Sequence, residues 1–513
     1  MAEYLLGIDN GGTAIKAGIF DAHGREIAVH SRPAEASSPA PGWYERPMEA
    51  VWHANGQVIT AVLQHSGIDP TKIACVAVTG HGNGLYLADG EGRGVYPGIM
   101  STDSRAREYV ERWTADGTAA RLLPRTAQSL WAAQPPALLA WLRDHEPGVL
   151  SLARWVFMVK DFIRARLTGE AFAEITDMSA TSLMSVRDRA YDDEVLDAYG
   201  LSGIREKLPP LRESADLCGK VTVEAARETG LCQGTPVAGG MFDVDAAAIA
   251  TGITDEETLN IVAGTWCNNQ YISRRPVVSP SLFMTSVFSI PGYWLVLEGS
   301  ATSASNLEWF VSELMGEARA TERANGRSVY ELCNAEVAGT GAAEDVPVFL
   351  PFLYGTNAGP DARAAFVGIT GRHRRGHLLR AVYEGVVFSH RTHIEKLKQV
   401  RSGNGAASAT LWPRLARIAG GASSSGEWIR IFADALQIPV ETSRVSELGC
   451  LGAATCAGVA CGAFPSFAAG VREMVHVARR TEPDPSRRNL YDARYALYRS
   501  IIRALAPVWP EYR

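Results

Sequence analysis

Short apolar runs punctuated by turn residues alternate along this chain with longer stretches of helical spacing. Tyr4-Leu5-Leu6 and the alternating Ile15/Ala17/Ile19 flank Gly11-Gly12-Thr13 and predict two strands joined by a tight turn, closed beyond by Asp21-Ala22-His23-Gly24. Pro47 to His65 places Met48, Val51, Trp52, Val58, Ile59 and Val62 at helical intervals. Ile73 to Val78 reads as a strand ending in the glycine-rich Thr79-Gly80-His81-Gly82-Asn83-Gly84, with strand again at Leu85 to Ala88. Residues 136–143 and 155–167 predict helices, and Thr235-Pro236-Val237-Ala238 leads into Gly239-Gly240-Met241-Phe242-Asp243.

The polar, turn-rich stretch Thr251 to Glu257 marks a domain boundary, giving domains of residues 1–253 and 254–513. Just past it Leu259-Asn260-Ile261-Val262-Ala263-Gly264-Thr265 repeats the opening theme, an apolar strand delivering Gly-Thr at a turn. Leu378 to Val400 predicts a long helix, and Arg417-Ile418-Ala419-Gly420-Gly421-Ala422 a strand feeding a loop before a helix from Glu427 to Leu436. Tyr491, Tyr495 and Tyr498 on the last helical stretch, Tyr491 to Leu505, are read as packing residues. Because each half opens on a strand and a Gly-Thr turn, an ancient duplication is suggested.

Composition narrows the class. With 513 residues, 46% apolar and 21% charged, the chain has enough material for two hydrophobic cores. A net charge of −6 gives no basic footprint for nucleic acid. The eight cysteines show no CxxC, and read as reduced packing residues rather than a disulfide frame or a zinc site. No apolar run reaches the roughly 18–20 residues of a membrane span, and the first strand leaves no room for a signal peptide. A cytoplasmic α/β protein of two domains is expected, with no membrane or nucleic-acid partner.

Three glycine-bearing turns, around Gly11, Gly264 and Gly420, each end or follow an apolar strand. Successive backbone N–H groups in such turns form anion nests. With Thr13, Lys16 and Thr265 as further donors, they suit polyphosphate, although one such turn taken singly is more often an ordinary hairpin. Neither a Walker P-loop nor a Rossmann loop fits, since the opening turn runs into a strand. Asp9 is the natural partner of a magnesium ion, through water. Asp243, after a strand and two glycines, is the candidate general base; the alternative is a helix N-cap. His81, Gly82 and Asn83 on the second turn, Asp103 with Arg105, and the aromatic face of Trp131 are candidates for reading a polyol or sugar. For Asp103/Arg105 the alternative is a surface ion pair, and for Trp131 a core position.

The ordered set of motifs resembles the FGGY carbohydrate kinase family across essentially the whole chain. It comprises Gly7 to Lys16, the turn 80–84, Asp103-Ser104-Arg105, Lys160-Asp161, Leu167-Thr168-Gly169, Thr176-Asp177, Gly239 to Asp243, Gly264-Thr265, Leu350 to Gly355, Glu384-Gly385-Val386 and Gly420-Gly421-Ala422. Within the family the pattern is most similar to bacterial L-xylulose kinases. The resemblance implies an α/β fold of two RNase H-like, actin/hexokinase-type domains with an interdomain catalytic cleft. It also implies transfer of phosphate from ATP, with Mg2+, to a hydroxyl of a small ketose, a pentulose such as L-xylulose foremost. The acceptor could instead be erythritol or another polyol. A catalytically inactive sugar sensor and an Hsp70- or actin-like ATPase are the readings from other classes. By position Asp243 matches the base and Asn83 a sugar contact; Gly11, Gly12, Thr13, Gly264, Thr265, Gly420 and Gly421 match nucleotide contacts. Ala304 and Glu308 fall at a nucleotide-side helix start, and Ser425 in the adenine loop. Gly12 stands where the family often has a hydroxyl residue, and Val244 follows the base where Asn or Gln is frequent. The resemblance leaves a homodimer open.

Overall fold

The computed structural model describes residues 3–342, 345–356, 358–359, 361–403, 412–445 and 447–512, and divides into two compact units. The first comprises Met1–Asp255, Ile272–Val296 and Arg444–His476; the second comprises Glu256–Tyr271, Leu297–Ser443 and Val477–Arg513. The first change of unit falls in the polar stretch 251–257. Two later segments nevertheless fold with the first unit, so a single cut at 253/254 follows chain order rather than packing.

In the first unit a sheet runs in the order Leu217–Lys220, Pro236–Ala238, Ile73–Gly80, Tyr4–Asn10, Ala14–Asp21, Glu26–Pro33. The opening strand pairs antiparallel with Ala14–Asp21, bringing Asp9 opposite Lys16, and parallel with Ile73–Gly80, bringing Asn10 opposite Gly80. The strand is apolar on both faces because both are covered: Leu6, Ile8 and Ile15 join a core with Val51, Trp52, Val58 and Ile59 of the helix Met48–Ser66. The opposite cover is the helix Leu448–Ala460, which arrives from the far end of the chain. Its glycines allow the close approach. A Cβ on Gly7 would lie 1.9 Å from the Cys450 carbonyl oxygen, and one on Gly452 would lie 2.2 Å from that of Ala246.

A second sheet runs in the order Met284–Val287, Trp294–Ser300, Cys267–Ser273, Thr258–Ala263, Leu415–Ala419, Val440–Ser443, Val477–Thr481. Here too the first strand, Thr258–Ala263, pairs antiparallel with its successor and parallel with a later strand that ends in a glycine turn. The repeated Gly-Thr theme thus corresponds to a repeated strand order. Val262 occupies the place that Asp9 has in the first unit, so only the first repeat carries the carboxylate.

Helices predicted from periodicity appear at Met48–Ser66, Pro135–His145, Arg375–Gly403, Gly426–Leu436 and Arg488–Leu505. The stretch 155–167 differs: Trp155–Phe157 is a strand paired with Tyr86–Ala88, and the helix is Val159–Thr168. Tryptophan, valine and phenylalanine in sequence favour an extended backbone once a partner strand lies alongside. Tyr491, Tyr495 and Tyr498 are buried, and all eight cysteines are free thiols. No helix among the described residues is long and apolar enough to cross a membrane.

Candidate active site

The opening turn is braced from beneath. Arg46 is buried, and its guanidinium donates to the carbonyl oxygen of Gly11 at 3.3 Å and to that of Gly12. With those carbonyls held inward, Gly12 and Thr13 stay exposed. The side-chain amides of Asn10 and Asn55 bond reciprocally at 3.1 and 2.7 Å and fix the strand end. Neither Arg46 nor Asn55 was singled out in the sequence, since each lies some 35–45 residues from its partner. A Cβ on Gly12 would meet nothing within 4 Å, so this glycine is not demanded by packing.

Asp9 ends the same strand. Burial pushes its carboxyl up to about 6, with Lys16 opposing and Glu447 reinforcing the shift. Its Oδ1 is buried and has no hydrogen-bond partner. An orphaned anionic oxygen of this kind fits a cation, and magnesium asks for only one or two protein carboxylates. Gly449 leaves the room: a Cβ there would lie 2.3 Å from Asp9 Oδ2. Lys16, expected as a phosphate contact, is tied to Glu447 at 2.6 Å and remains only partly exposed. Its charge is therefore largely countered by a carboxylate that the sequence places 431 residues away.

Asp243 is the first residue of the helix Asp243–Ala250, with Phe242 at the N-cap, so it does no capping. Burial foremost, and then the charge of Asp9, push its carboxyl up to about 8, while the Val244 amide opposes the shift. A carboxyl group with that pKa becomes ionised, and so able to accept a proton, as pH rises towards 8. Asp245, two residues on, points elsewhere and accepts from the amide and hydroxyl of Ser289, both at 2.9 Å.

The sugar candidates divide. Asn83 is buried in the left-handed region at φ 60°, and its Oδ1 has no partner. Gly82 packs so closely that a Cβ would lie 2.4 Å from the Phe242 ring. His81 is buried with both ring nitrogens engaged, Nε2 with the Tyr86 hydroxyl at 3.2 Å and Nδ1 with the Gly82 carbonyl at 3.4 Å. Burial and then Arg46 press its pKa down to about 3, so the ring is neutral and holds the turn. Asp103 departs further from expectation. Its oxygens accept from the amide of Arg105 (2.9 Å), the guanidinium of Arg105 (3.0 and 2.8 Å) and the amide of Tyr44 (2.7 Å). The Arg105 side chain also binds Glu45 at 2.8 Å and lies 4.0 Å over the Trp43 ring. This is a buried clamp, neither a surface ion pair nor an open sugar contact. Trp131 is half-buried, edge-on to Phe283 at 5.8 Å.

In the second unit the turns at Gly264 and Gly420 meet. Gly420 has φ +86°, and a Cβ on it would lie 2.6 Å from the Ala263 carbonyl and 2.7 Å from the Gly264 nitrogen. The helix Ser305–Leu314 begins beside them, Ser305 Oγ donating to the Thr265 carbonyl at 3.3 Å; Gly421 lies close to Ala304, and Thr265 is exposed. Gly264, Thr265, Ala304, Gly420 and Gly421 are thus gathered in one place. Glu308 and Ser425 have other work. Glu308 accepts from the Tyr330 hydroxyl and pairs with Arg319 at 3.4 Å. Ser425 caps the helix Gly426–Leu436 by accepting from the Trp428 amide at 3.1 Å, and donates to Asn334 at 2.6 Å. A serine just before an apolar helical run is an N-cap signal, and here the hydroxyl makes that cap.

Residues 4–250 match the N-terminal domain of the FGGY family of carbohydrate kinases, and residues 259–461 match its C-terminal domain. The chain belongs to this family. As a member it is a sugar kinase, a phosphotransferase with an alcohol group as acceptor. Over 508 residues it is 38% identical to the L-xylulose/3-keto-L-gulonate kinase of Escherichia coli strain K12, covering 98% of each chain. It is 36% identical to a probable L-xylulose kinase of Pasteurella multocida, over 98% of this chain and 99% of that one. Among solved structures, the xylulose kinase of Rhodospirillum rubrum aligns over 99% of both chains, with a TM-score of 0.86 and 27% identity. The kinase shares with that structure a two-domain α/β architecture. Its family domains meet between residues 250 and 259, while the stretch 444–461 of the C-terminal match folds with the first unit.

Proposed function

We propose that this kinase transfers the γ-phosphoryl group of ATP to a hydroxyl of a pentulose, L-xylulose foremost, with Asp243 as general base. The reaction rests on one observation: a buried carboxylate at the start of a helix, beside Asp9, with its pKa raised to about 8. The acceptor rests on the full-length likeness to enzymes named for L-xylulose.

As the sugar oxygen bonds to the γ-phosphorus, its proton passes to Asp243 and the bond to the β-phosphate oxygen breaks, releasing ADP. The braced turn Gly11–Thr13 presents N–H groups and a hydroxyl to phosphate. The gathered glycines of the second unit give a nucleotide the same close backbone approach. Asn83 contributes to sugar binding, and Trp131 offers an aromatic face. Asp9 would hold magnesium, which when bound offsets phosphate charge.

The test is ADP release measured across L- and D-xylulose, L- and D-ribulose, 3-keto-L-gulonate, erythritol and glycerol. L-Xylulose is expected to give the highest kcat/KM. Erythritol exceeding every pentulose would overturn the acceptor.

A further inference from the structure

We propose that Asp177 is a specificity-determining residue, its carboxylate accepting a hydrogen bond from a sugar hydroxyl other than the one phosphorylated. The inference rests on the sugar-acceptor reading above and extends it to a residue given no role there.

Asp177 lies in the short helix Ile175–Ser179 and is completely buried. Neither carboxylate oxygen has a hydrogen-bond partner. A buried carboxylate left in that state is costly, because desolvation is not repaid by donors. Its nearest cation, Lys160, stands 3.6 Å from Oδ2 and makes shorter contacts with Asp161 at 2.9 Å and Glu174 at 3.3 Å. Arg164 is likewise taken, by Asp161 at 2.9 Å and the Gly239 carbonyl at 2.7 Å. The neighbouring Glu174 shows what a structural carboxylate looks like here. It accepts from the Thr176 amide and hydroxyl and from the Ser214 hydroxyl, at 3.0, 2.8 and 2.8 Å. Within one network, then, Glu174 is saturated and Asp177 is not.

Placement supplies the second argument. A Cβ on Gly82 would lie 2.8 Å from Asp177 Oδ1, so the carboxylate lies against the turn that carries Asn83. Thr176, immediately before it, holds the amide of Phe242 at 2.9 Å, and Phe242 precedes the base Asp243. Asp177 is therefore set between the sugar turn and the base. Asn83 Oδ1 is a further buried acceptor without a donor, on a residue held in a left-handed conformation that ordinary side chains seldom adopt. Acceptors short of donors on both sides of one glycine match a ligand that brings several O–H groups.

The experiment uses the panel sugar that the wild-type enzyme phosphorylates best, together with its monodeoxy analogues. Asp177→Asn is expected to raise the sugar KM and lower kcat/KM by about 10–100-fold, as loss of a buried hydrogen bond does, with the ATP KM unchanged. One deoxy analogue should be penalised in the wild type but not in the variant, a coupling that a merely structural role would not create. Asp177→Glu, which keeps the carboxyl group and lengthens the arm, should lose the same coupling. Wild-type sugar KM in D177N, or equal losses across every analogue in both variants, would overturn the proposal. If a sugar or polyol other than a pentulose is best, the pentulose reading fails, and the Asp177 comparison still stands on the one that is.

Discussion

Asp243→Asn should make the protein more stable while making it inactive. In the folded chain burial and Asp9 raise the Asp243 pKa from 3.8 to about 8. Its neutral form is thus the one the fold accommodates. The stabilisation is fully present below the unfolded value near pH 4 and is lost as pH rises towards 8. At 1.36 kcal/mol per pKa unit, the ligand-free wild type loses about 2 kcal/mol by pH 5, where the unfolded carboxyl ionises while the folded one stays protonated, and up to about 5 kcal/mol by pH 8. Asparagine has the same shape and no charge, so the variant escapes this cost. Urea unfolding of both proteins at pH 5 and pH 8 should show a gap that widens with pH in favour of the variant. Coupled ADP-release assays on the same samples should show kcat lower by about 10²–10⁴, the usual contribution of a general base. A variant less stable than wild type at pH 8 would refute the electrostatic reasoning. Near wild-type kcat would refute the assignment of the base.

Gly449→Ala places a methyl 2.3 Å from the Asp9 carboxylate, which can swing aside; the Mg2+ requirement should rise about tenfold with little change in Tm. Gly452→Ala meets the Ala246 carbonyl at 2.2 Å instead, and backbone cannot yield so readily, so unfolding should show a loss of about 2–4 kcal/mol. Arg105→Lys keeps the charge but gives up the two-pronged grip on Asp103 and the stacking on Trp43; denaturation should show a loss of about 3 kcal/mol, and an unchanged midpoint would contradict the buried-clamp reading. Gly420→Ala strains a φ of +86° and drives a methyl into Ala263; nucleotide titration should show a raised KM for ATP with the sugar KM held.

Local patterns carried much of the fold into view. Strand and helix periods, glycine turns and the repeated Gly-Thr theme depend on neighbours a few residues apart, and such relations are written in order along the chain. The positions of Asp243, Asn83, Gly264 and Gly420 were legible for the same reason, each standing at or just past the end of a recognisable strand. Residues whose environment comes from distant chain were read less well. Asp103 reads in the sequence as a sugar contact or else half of a surface pair, but packing sets the Tyr44 amide against Asp103 and closes Glu45 and Trp43 around Arg105. Lys16 looked like a free cation, but Glu447 meets it from a segment that returns to the first unit.

By itself, then, the sequence determined the class of protein, the strand–turn units and which carboxylates stand at strand and helix ends. These follow from spacing and side-chain chemistry alone. Only the tertiary structure decided which polar groups were already satisfied. It assigned Glu308 and Ser425 to partners of their own, set Arg46 beneath the opening glycine turn, and left Asp9 Oδ1 and Asp177 without donors. Hydrogen-bond satisfaction is a property of three-dimensional neighbours, and a buried group left unsatisfied is where a ligand has the most to contribute.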